Sequence, residues 1–171
     1  VQAQSAPVTV EHELGTTVVD VNPQRVVVFD FGALDSLDVL GIDVVGLPKG
    51  NIPSYLSKYN DAKYINVGTL QEPDYGAVNA LKPDLIIISS RTAAHYDELS
   101  RLAPTVYVGV NFDDYLGSVK YNLRMLGRIF GAEDKVEAEL ARIDTAIARV
   151  RAVSAGRTAL VLLTTGGRAN A

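Results

Sequence analysis

The stretch that decides the fold class is NALKPDLIIISSR, residues 79–91. Its proline stops the helical pattern before it, and residues 85–88 form a continuous apolar run of strand length. A run without alternating polar residues is typical of a strand that is buried on both faces of a parallel sheet. Small polar residues and Arg91 follow at once, so the stretch predicts a helix, a buried strand and a polar turn in succession.

Strands and helices alternate on both sides of this stretch. The order of apolar runs and helical patterns predicts an α/β fold with a doubly wound, mostly parallel sheet. A hairpin is predicted ahead of the sheet, at residues 8–20. The predicted strands of the sheet are residues 26–29, 44–47, 64–67, 85–88 and 105–110, and the predicted helices are residues 32–40, 53–59, 74–81, 92–102 and 113–130.

The last forty or so residues depart from this pattern. Apolar residues recur every three or four positions over residues 133–153, which predicts a helix about 30 Å long. Residues 158–164 read as one more buried strand, which we expect to be the first strand of a truncated second lobe. The alternative is that this strand folds back onto the first sheet; left exposed, it offers an edge through which copies of the chain could self-associate. The predicted organisation is a disordered leader at 1–7, an α/β lobe at 8–132, a connecting helix at 133–155 and the start of a second lobe at 156–171.

Composition narrows the function classes. Hydrophobic residues make up 47% and charged residues 21% of the 171 residues, as in an ordinary globular protein. The net charge of −4 comes without a basic stripe, so we expect no nucleic-acid partner. The lack of cysteine excludes disulfides and thiolate metal sites, and no apolar run is long enough to span a membrane.

Enzyme signatures are missing from the sequence. There is no Walker loop and no GxSxG motif, and residues 31–35 after the first strand lack the character of a glycine-rich phosphate loop. We therefore expect no enzymatic activity. A phosphate- or nucleotide-using enzyme domain is the alternative from another class.

Candidate binding residues follow the predicted strands. Ligands of open parallel sheets bind beyond the carboxyl ends of the strands, where loop N–H groups and helix N-termini favour anions. Arg91 stands at such an end, and its planar fork suits carboxylate, catecholate or phosphate oxygens. The alternative is a surface arginine paired with Asp97 or Glu98. Lys49 adds a second positive charge after another strand.

The two histidines, His12 and His95, carry little functional signal. His12 is interpreted as a solvated strand residue, and His95 as a surface histidine rather than a metal ligand. Neither belongs to a paired-histidine or HExxH pattern. We expect no metal ligand in this chain.

Four segments together resemble the siderophore-binding proteins of ABC importers. They are residues 26–35, 46–51, 67–69 and 79–91, and the resemblance extends from about residue 8 to residue 168. Within that group the chain is most similar to the catecholate type, which includes enterobactin- and petrobactin-binding proteins. The motif at residues 81–86 alone marks only the wider fold family, whose members also bind haem or cobalamin.

The resemblance implies the N-terminal lobe of a class III periplasmic binding protein, joined to a second lobe by a long interlobe helix. It implies a periplasmic or lipid-anchored protein, close to the membrane but not spanning it, without a cofactor. Such a protein captures an Fe(III)-siderophore in the cleft between the lobes and delivers it to an ABC transporter permease. Binding of haem or cobalamin on the same fold is the alternative.

The resemblance also assigns residues. Arg91 matches the first-lobe arginine that contacts the siderophore. The family's docking glutamate falls at Gly76, so Glu72 or Asp74 is expected to take over contact with the permease. The histidine and tyrosine that bind iron directly in some members belong to the second lobe. The expected ligand-binding residues are Phe31, Gly32, Lys49, Gly50, Asn51, Thr69, Ser90, Arg91 and Arg168.

Overall fold

The computed structural model describes residues 6–160, 163–165 and 168–170, with side chains described up to residue 160. The chain divides into two compact units, residues 1–137 and residues 138–171. Most of the predicted leader, residues 1–5, lies outside the described residues.

The first unit begins with the predicted hairpin. Strands β1, Val8–His12, and β2, Gly15–Val19, pair antiparallel. The side chains of Val10 and Val19 are buried, so one face of the hairpin contributes to the core.

Five parallel strands form the central sheet of this unit. The strand order is β5-β4-β3-β6-β7, with every neighbouring pair parallel. This confirms the predicted α/β fold with a parallel sheet, although most strands are shorter than predicted. The strands are β3 (Val26–Val28), β4 (Gly46–Leu47), β5 (Ile65–Asn66), β6 (Leu85–Ile88) and β7 (Thr105–Tyr107).

Strand β6 is buried on both faces, as its unbroken apolar sequence predicts. Leu85 and Ile87 belong to one hydrophobic cluster, whereas Ile86 and Ile88 belong to a second cluster on the other face. All four side chains are completely buried. The first cluster includes residues of the hairpin and of residues 33–37 and 125–130, and the second includes residues 78 and 99.

The helices begin and end at residues that the sequence marks. The carboxylates of Asp30, Asp74 and Asp114 each accept a hydrogen bond from an N–H in the first turn of the following helix. Gly41 and Gly131 end two of the helices in the left-handed conformation. The helices are α1 (Phe31–Leu40), α2 (Tyr75–Leu81), α3 (Tyr96–Ser100), α4 (Tyr115–Phe130) and α5 (Glu133–Ser154).

Two predicted helices contain 3₁₀ geometry. The segment Ser54–Asn60 is a 3₁₀ helix, and a second one, Ser90–His95, leads directly into α3. The predicted helix at 92–102 is therefore two shorter pieces, and the first piece carries Arg91.

The end of the chain corrects one prediction. Residues 158–160 lie in no strand, and the side chain of Leu160 is 76% exposed. Strand β8, Leu163–Thr165, instead pairs antiparallel with β9, Arg168–Asn170. Because Thr165 is paired with Arg168, only two residues join the strands, and this short connection favours a hairpin over a parallel strand. Gly166 and Gly167 lie outside the described residues.

No helix in the described part of the chain is long and apolar enough to cross a membrane.

Candidate functional site

The loops that follow β3 to β7 lie along one edge of the sheet, which we call the carboxyl edge. All five strands are parallel, so their carboxyl ends point the same way. The fold thereby places eight of the nine expected ligand-binding residues on or just after these loops. They are Phe31 and Gly32 after β3, Lys49, Gly50 and Asn51 after β4, Thr69 after β5, and Ser90 and Arg91 after β6.

A hydrogen-bonded pair of side chains fixes the centre of the carboxyl edge. Asp30 Oδ1 accepts a hydrogen bond from the Ala33 N–H at 2.7 Å, which caps α1. Asp30 Oδ2 accepts a hydrogen bond from the Ser89 hydroxyl, also at 2.7 Å, and Ser89 is buried. Asp30 therefore joins the ends of β3 and β6, and both its oxygens already have donors.

Arg91 lies exposed in the first turn of the 3₁₀ segment Ser90–His95. Its guanidinium makes no hydrogen bond or ion pair with any other residue that the structure describes, including Asp97 and Glu98. The pairing weighed as the alternative is thus not formed. The five N–H donors of the guanidinium are free to receive ligand oxygens.

The same segment also holds the loop after β5. The Thr92 hydroxyl donates to the Leu70 carbonyl at 2.6 Å, and the side chain of Thr92 is completely buried. His95 Nε2 lies 2.8 Å from the carbonyl of Gln71, which can only accept, so Nε2 carries the proton. We call Thr92 and His95 the loop clamp, because they attach residues 70–71 to the segment that carries Arg91.

The second nitrogen of His95 completes this arrangement. His95 Nδ1 lies 2.5 Å from the Tyr75 hydroxyl, which donates to it. Burial raises the pKa of Tyr75, and the charge of Glu98 raises it further, so the hydroxyl keeps its proton. Both ring nitrogens of His95 have partners, and the ring is only partly exposed. His95 thus lies at the surface, as expected, but it is held by two hydrogen bonds.

Gly68 shapes the loop after β5. Its φ of +105° is a conformation that side-chain-bearing residues rarely adopt, and an added Cβ would lie 2.6 Å from the Asp74 nitrogen. The Thr69 hydroxyl accepts a hydrogen bond from the Glu72 N–H at 2.9 Å in the turn that follows. The sequence marks Gly68 only as a loop glycine; its tight backbone contacts depend on the return of the chain at residues 72–74.

Lys49 is already partnered. Its ammonium donates to the carbonyls of Asp61 at 2.7 Å and Asn60 at 3.3 Å, at the end of the 3₁₀ segment Ser54–Asn60. Its charge is thus directed at the protein, unlike that of Arg91, and a role for Lys49 in ligand binding stays a prediction. Gly50 and Asn51 beyond it are exposed.

Two aromatic rings after β7 are absent from the residues that the sequence analysis expects to bind ligand. Phe112 is 85% exposed and Tyr115 is 53% exposed, with ring centroids 6.4 Å apart. The available signal was the presence of two aromatic residues in the otherwise polar stretch NFDDY, residues 111–115. Tyr115 also lines a cavity of about 200 Å³ at the carboxyl edge, together with Asp30 and Gly32.

The expected docking residues differ in their surroundings. Asp74 caps α2 by accepting a hydrogen bond from the Ala77 N–H at 2.9 Å. Glu72 is exposed, and its carboxylate makes no hydrogen bond or ion pair within the described structure. Docking through either residue stays a prediction. Arg168 opens β9 in the second unit, and its predicted role also stays a prediction.

Within the described residues, no three His, Asp or Glu side chains converge in a way that could hold a metal ion.

Known proteins that are similar in sequence identify the family to which this architecture belongs. The family model of periplasmic binding proteins matches residues 26–169. The petrobactin-binding protein YclQ of Bacillus subtilis is 49% identical over 170 residues, which cover 96% of this chain and 54% of YclQ. The ferric-anguibactin-binding protein FatB of Vibrio anguillarum is 34% identical over 174 residues, covering 98% of this chain and 54% of FatB.

Solved structures agree with these matches. The crystal structure of YclQ superposes with a TM-score of 0.92 at 48% identity, covering 96% of this chain and 60% of that one. BauB, solved with two acinetobactin molecules and ferric iron, superposes with a TM-score of 0.90 at 40% identity, covering 94% of this chain and 59% of that one. The chain spans about half the length of the curated relatives that it matches. The predicted class III fold is confirmed, and the chain belongs to the periplasmic binding protein family.

Proposed function

We propose that this chain provides one wall of a cleft that captures a ferric siderophore in the periplasm for delivery to an ABC importer. The observation that carries the proposal is Arg91, a guanidinium without a protein partner at the carboxyl edge of the sheet. Catecholate and carboxylate oxygens wrap Fe(III) in complexes of net negative charge. An unpaired arginine complements such a complex.

The names of the relatives support this ligand class. YclQ is named for petrobactin and FatB for ferric anguibactin, and BauB was solved with ferric acinetobactin. All three names or titles specify a siderophore, so a ferric siderophore is the ligand class we assign to this protein. Its role is binding and delivery rather than catalysis, with Fe(III)-siderophore as cargo and no cofactor.

The proposed partner beyond the ligand is the permease of the importer. Glu72 is the better of the two docking candidates, because its carboxylate is exposed while that of Asp74 caps α2. The loop that carries Glu72 is attached by the loop clamp to the segment that carries Arg91. Docking and ligand contact would thus involve neighbouring, mechanically joined segments.

A ligand titration tests the proposal. The sequence has eight tyrosines and no tryptophan, so intrinsic tyrosine fluorescence reports on binding. The protein expressed from its complete gene would be titrated with ferric catecholate complexes, with haem and with cobalamin. Quenching by a ferric catecholate at micromolar or lower concentration supports the proposal. Binding of haem or cobalamin, without response to any ferric siderophore, contradicts it.

Replacing Arg91 tests its proposed contact with the ligand. For Arg91→Ala we expect a loss of about 1.5–3 kcal/mol in binding free energy, the range for a hydrogen bond to a charged group. Urea unfolding should be unchanged, because the side chain is exposed and has no protein partner. The matched control is Arg25→Ala, whose Nε donates to the Leu81 carbonyl at 2.7 Å at the opposite edge.

The control should lower stability slightly and leave affinity unchanged. Equal affinity of Arg91→Ala and the unmodified protein would remove Arg91 from the site.

A further inference from the structure

The exposed aromatic pair after β7 calls for a physical explanation. Phe112 and Tyr115 are 85% and 53% exposed, and their ring planes are inclined by 35° to each other. Exposure of two large apolar rings side by side costs free energy in water, because their surface would gain by burial. Contiguous exposed apolar surface is characteristic of an interaction site.

The loop that carries both rings is hydrogen-bonded along its main chain. Asp114 accepts a hydrogen bond from the Gly117 N–H at 3.1 Å and caps α4. The Asn111 N–H donates to the Ser118 hydroxyl at 3.0 Å, and Asn111 Oδ1 accepts from the Asp113 N–H at 2.9 Å. The main chain on both sides of the rings is thus fixed by hydrogen bonds, which makes the pair a preorganised surface.

The pair lies at the same edge as Arg91. Strand β7, which leads to Phe112, is paired directly with β6, which leads to Arg91, and the Val108 N–H donates to the Ile88 carbonyl at 2.9 Å. Tyr115 lines the cavity of about 200 Å³ beside Gly32. A cavity of roughly 150 Å³ can hold one benzene ring. Aromatic surface and space for one aryl ring therefore adjoin the strand end that carries the free guanidinium.

We propose that Phe112 and Tyr115 form an aromatic wall that stacks against an aryl arm of the bound chelate, so that the protein selects ferric siderophores with catecholate or phenolate arms. The inference rests on the proposed function and adds the two residues that would determine which chelates bind. Arg91 attracts the charge of any anionic chelate, whereas the aromatic wall distinguishes aryl arms from aliphatic ones. Offset or edge-on aromatic pairs add about 0.5–1.5 kcal/mol each beyond burial, which is a fewfold to about tenfold in affinity.

The test compares two chelates on one set of variants. The protein expressed from its complete gene would be titrated with ferric enterobactin, whose arms are catecholates, and with ferric dicitrate, an anionic chelate that has no aryl group. For the double variant Phe112→Leu with Tyr115→Leu we expect about tenfold weaker binding of ferric enterobactin and less than a twofold change for ferric dicitrate. Phe112→Tyr should retain affinity, because it keeps the ring.

Two further variants serve as controls. Val39→Ala removes an exposed apolar side chain in the last turn of α1, away from the carboxyl edge, and should change neither affinity. Arg91→Ala should weaken whichever chelates the unmodified protein binds.

Each other outcome contradicts either the aromatic wall or the proposed function. Unchanged enterobactin affinity in the double variant overturns the aromatic wall, and so does an equal loss for both chelates. A lower melting temperature without ligand, together with unchanged affinity, assigns the rings to packing against another segment and also overturns it. If the unmodified protein binds no ferric chelate at all, the proposed function fails instead. If it binds only the non-aryl chelate, the aromatic wall fails while the proposed function stands.

Discussion

The amino edge and the carboxyl edge of the sheet each carry an aspartate and an arginine, but the arginine has a protein partner at only one of them. At the amino edge, where β3 and β6 begin, Asp84 accepts hydrogen bonds from the main-chain N–H groups of Gln24 at 2.7 Å and Arg25 at 2.8 Å. Arg25 in turn donates to the Leu81 carbonyl. An aspartate and an arginine there bind the protein itself.

At the carboxyl edge, where β3 and β6 end, Asp30 again bridges the two strands, but the arginine is left unpaired. Asp30 is satisfied by Ala33 and Ser89, while Arg91 has no partner among the described residues. The comparison shows that one edge is built for stability, and that the other combines a fixed framework with one uncommitted charge. This division matches the binding role proposed for the carboxyl edge, where partnered groups would hold the loops and the unpaired group would meet the ligand.

The largest effect that tests this division is expected at Asp84. Asp84→Ala removes the acceptor of two main-chain N–H groups, and we expect unfolding to become easier by about 3 kcal/mol, because hydrogen bonds to charged groups contribute about 1.5–3 kcal/mol each. Urea denaturation measures the loss. Siderophore affinity should be unchanged.

Asp84→Asn is the matched control, because it keeps one strong acceptor and should cost about half as much. A loss below about 0.5 kcal/mol for Asp84→Ala would contradict the structural role of the amino edge.

A smaller effect is expected at the loop clamp. Thr92→Val keeps the shape of the buried side chain but removes the hydrogen bond to the Leu70 carbonyl, which costs about 1–2 kcal/mol. Amide hydrogen exchange of residues 69–74 should accelerate, because the loop loses its attachment. Thr69→Val, which removes a hydrogen bond within the loop itself, serves for comparison. Unchanged exchange in Thr92→Val would show that the clamp does not hold this loop.

The strands and helix ends were predictable because their causes are local. An apolar run such as residues 85–88 needs burial on both faces, and Asp30 or Asp74 ahead of a helical pattern supplies its own cap. Parallel strands then bring their following loops to one edge whatever the loop sequences are. Fold class and the grouping of site residues therefore followed from the sequence, and so did the position of Arg91.

The partners of the polar side chains were not predictable, because they depend on paths through space. The Lys49 ammonium meets carbonyls eleven and twelve residues further along, and His95 meets a carbonyl twenty-four residues before it. No pattern around Lys49 or His95 encodes those distances. The strand predicted at residues 158–164 is only partly observed, because residues 158–160 lie in no strand and β8 begins at Leu163. An apolar run does not say which neighbour it will pair with, and β8 pairs with the adjacent β9.

The smallest expected effect concerns His12, which has an unpaired ring nitrogen in the protein interior. His12 Nδ1 is buried and has no hydrogen-bond partner, whereas the unpaired Arg91 lies in solvent. His12 Nε2 lies 2.9 Å from the Thr17 hydroxyl, whose own proton goes to the Thr105 carbonyl at 2.7 Å, so Nε2 donates and Nδ1 is left as an acceptor. The interpretation of His12 as solvated is therefore wrong. Burial lowers the pKa of His12, and its contact with the Thr105 carbonyl opposes this only in part.

The sign of the pH effect follows from that lowered pKa. Above the ordinary histidine pKa of 6.5 the ring is neutral in both folded and unfolded chains, and its contribution to stability is fully present. As the pH falls below 6.5 the unfolded chain binds a proton that the folded chain resists, so stability is lost until the folded pKa is passed. We expect the free energy of unfolding by urea to fall from pH 7.5 toward pH 5, and His12→Gln to reduce this slope. His95→Gln is the matched comparison, because it replaces a histidine whose two ring nitrogens both have hydrogen-bond partners. A slope that His12→Gln leaves intact would assign the pH dependence to groups other than the buried hairpin histidine.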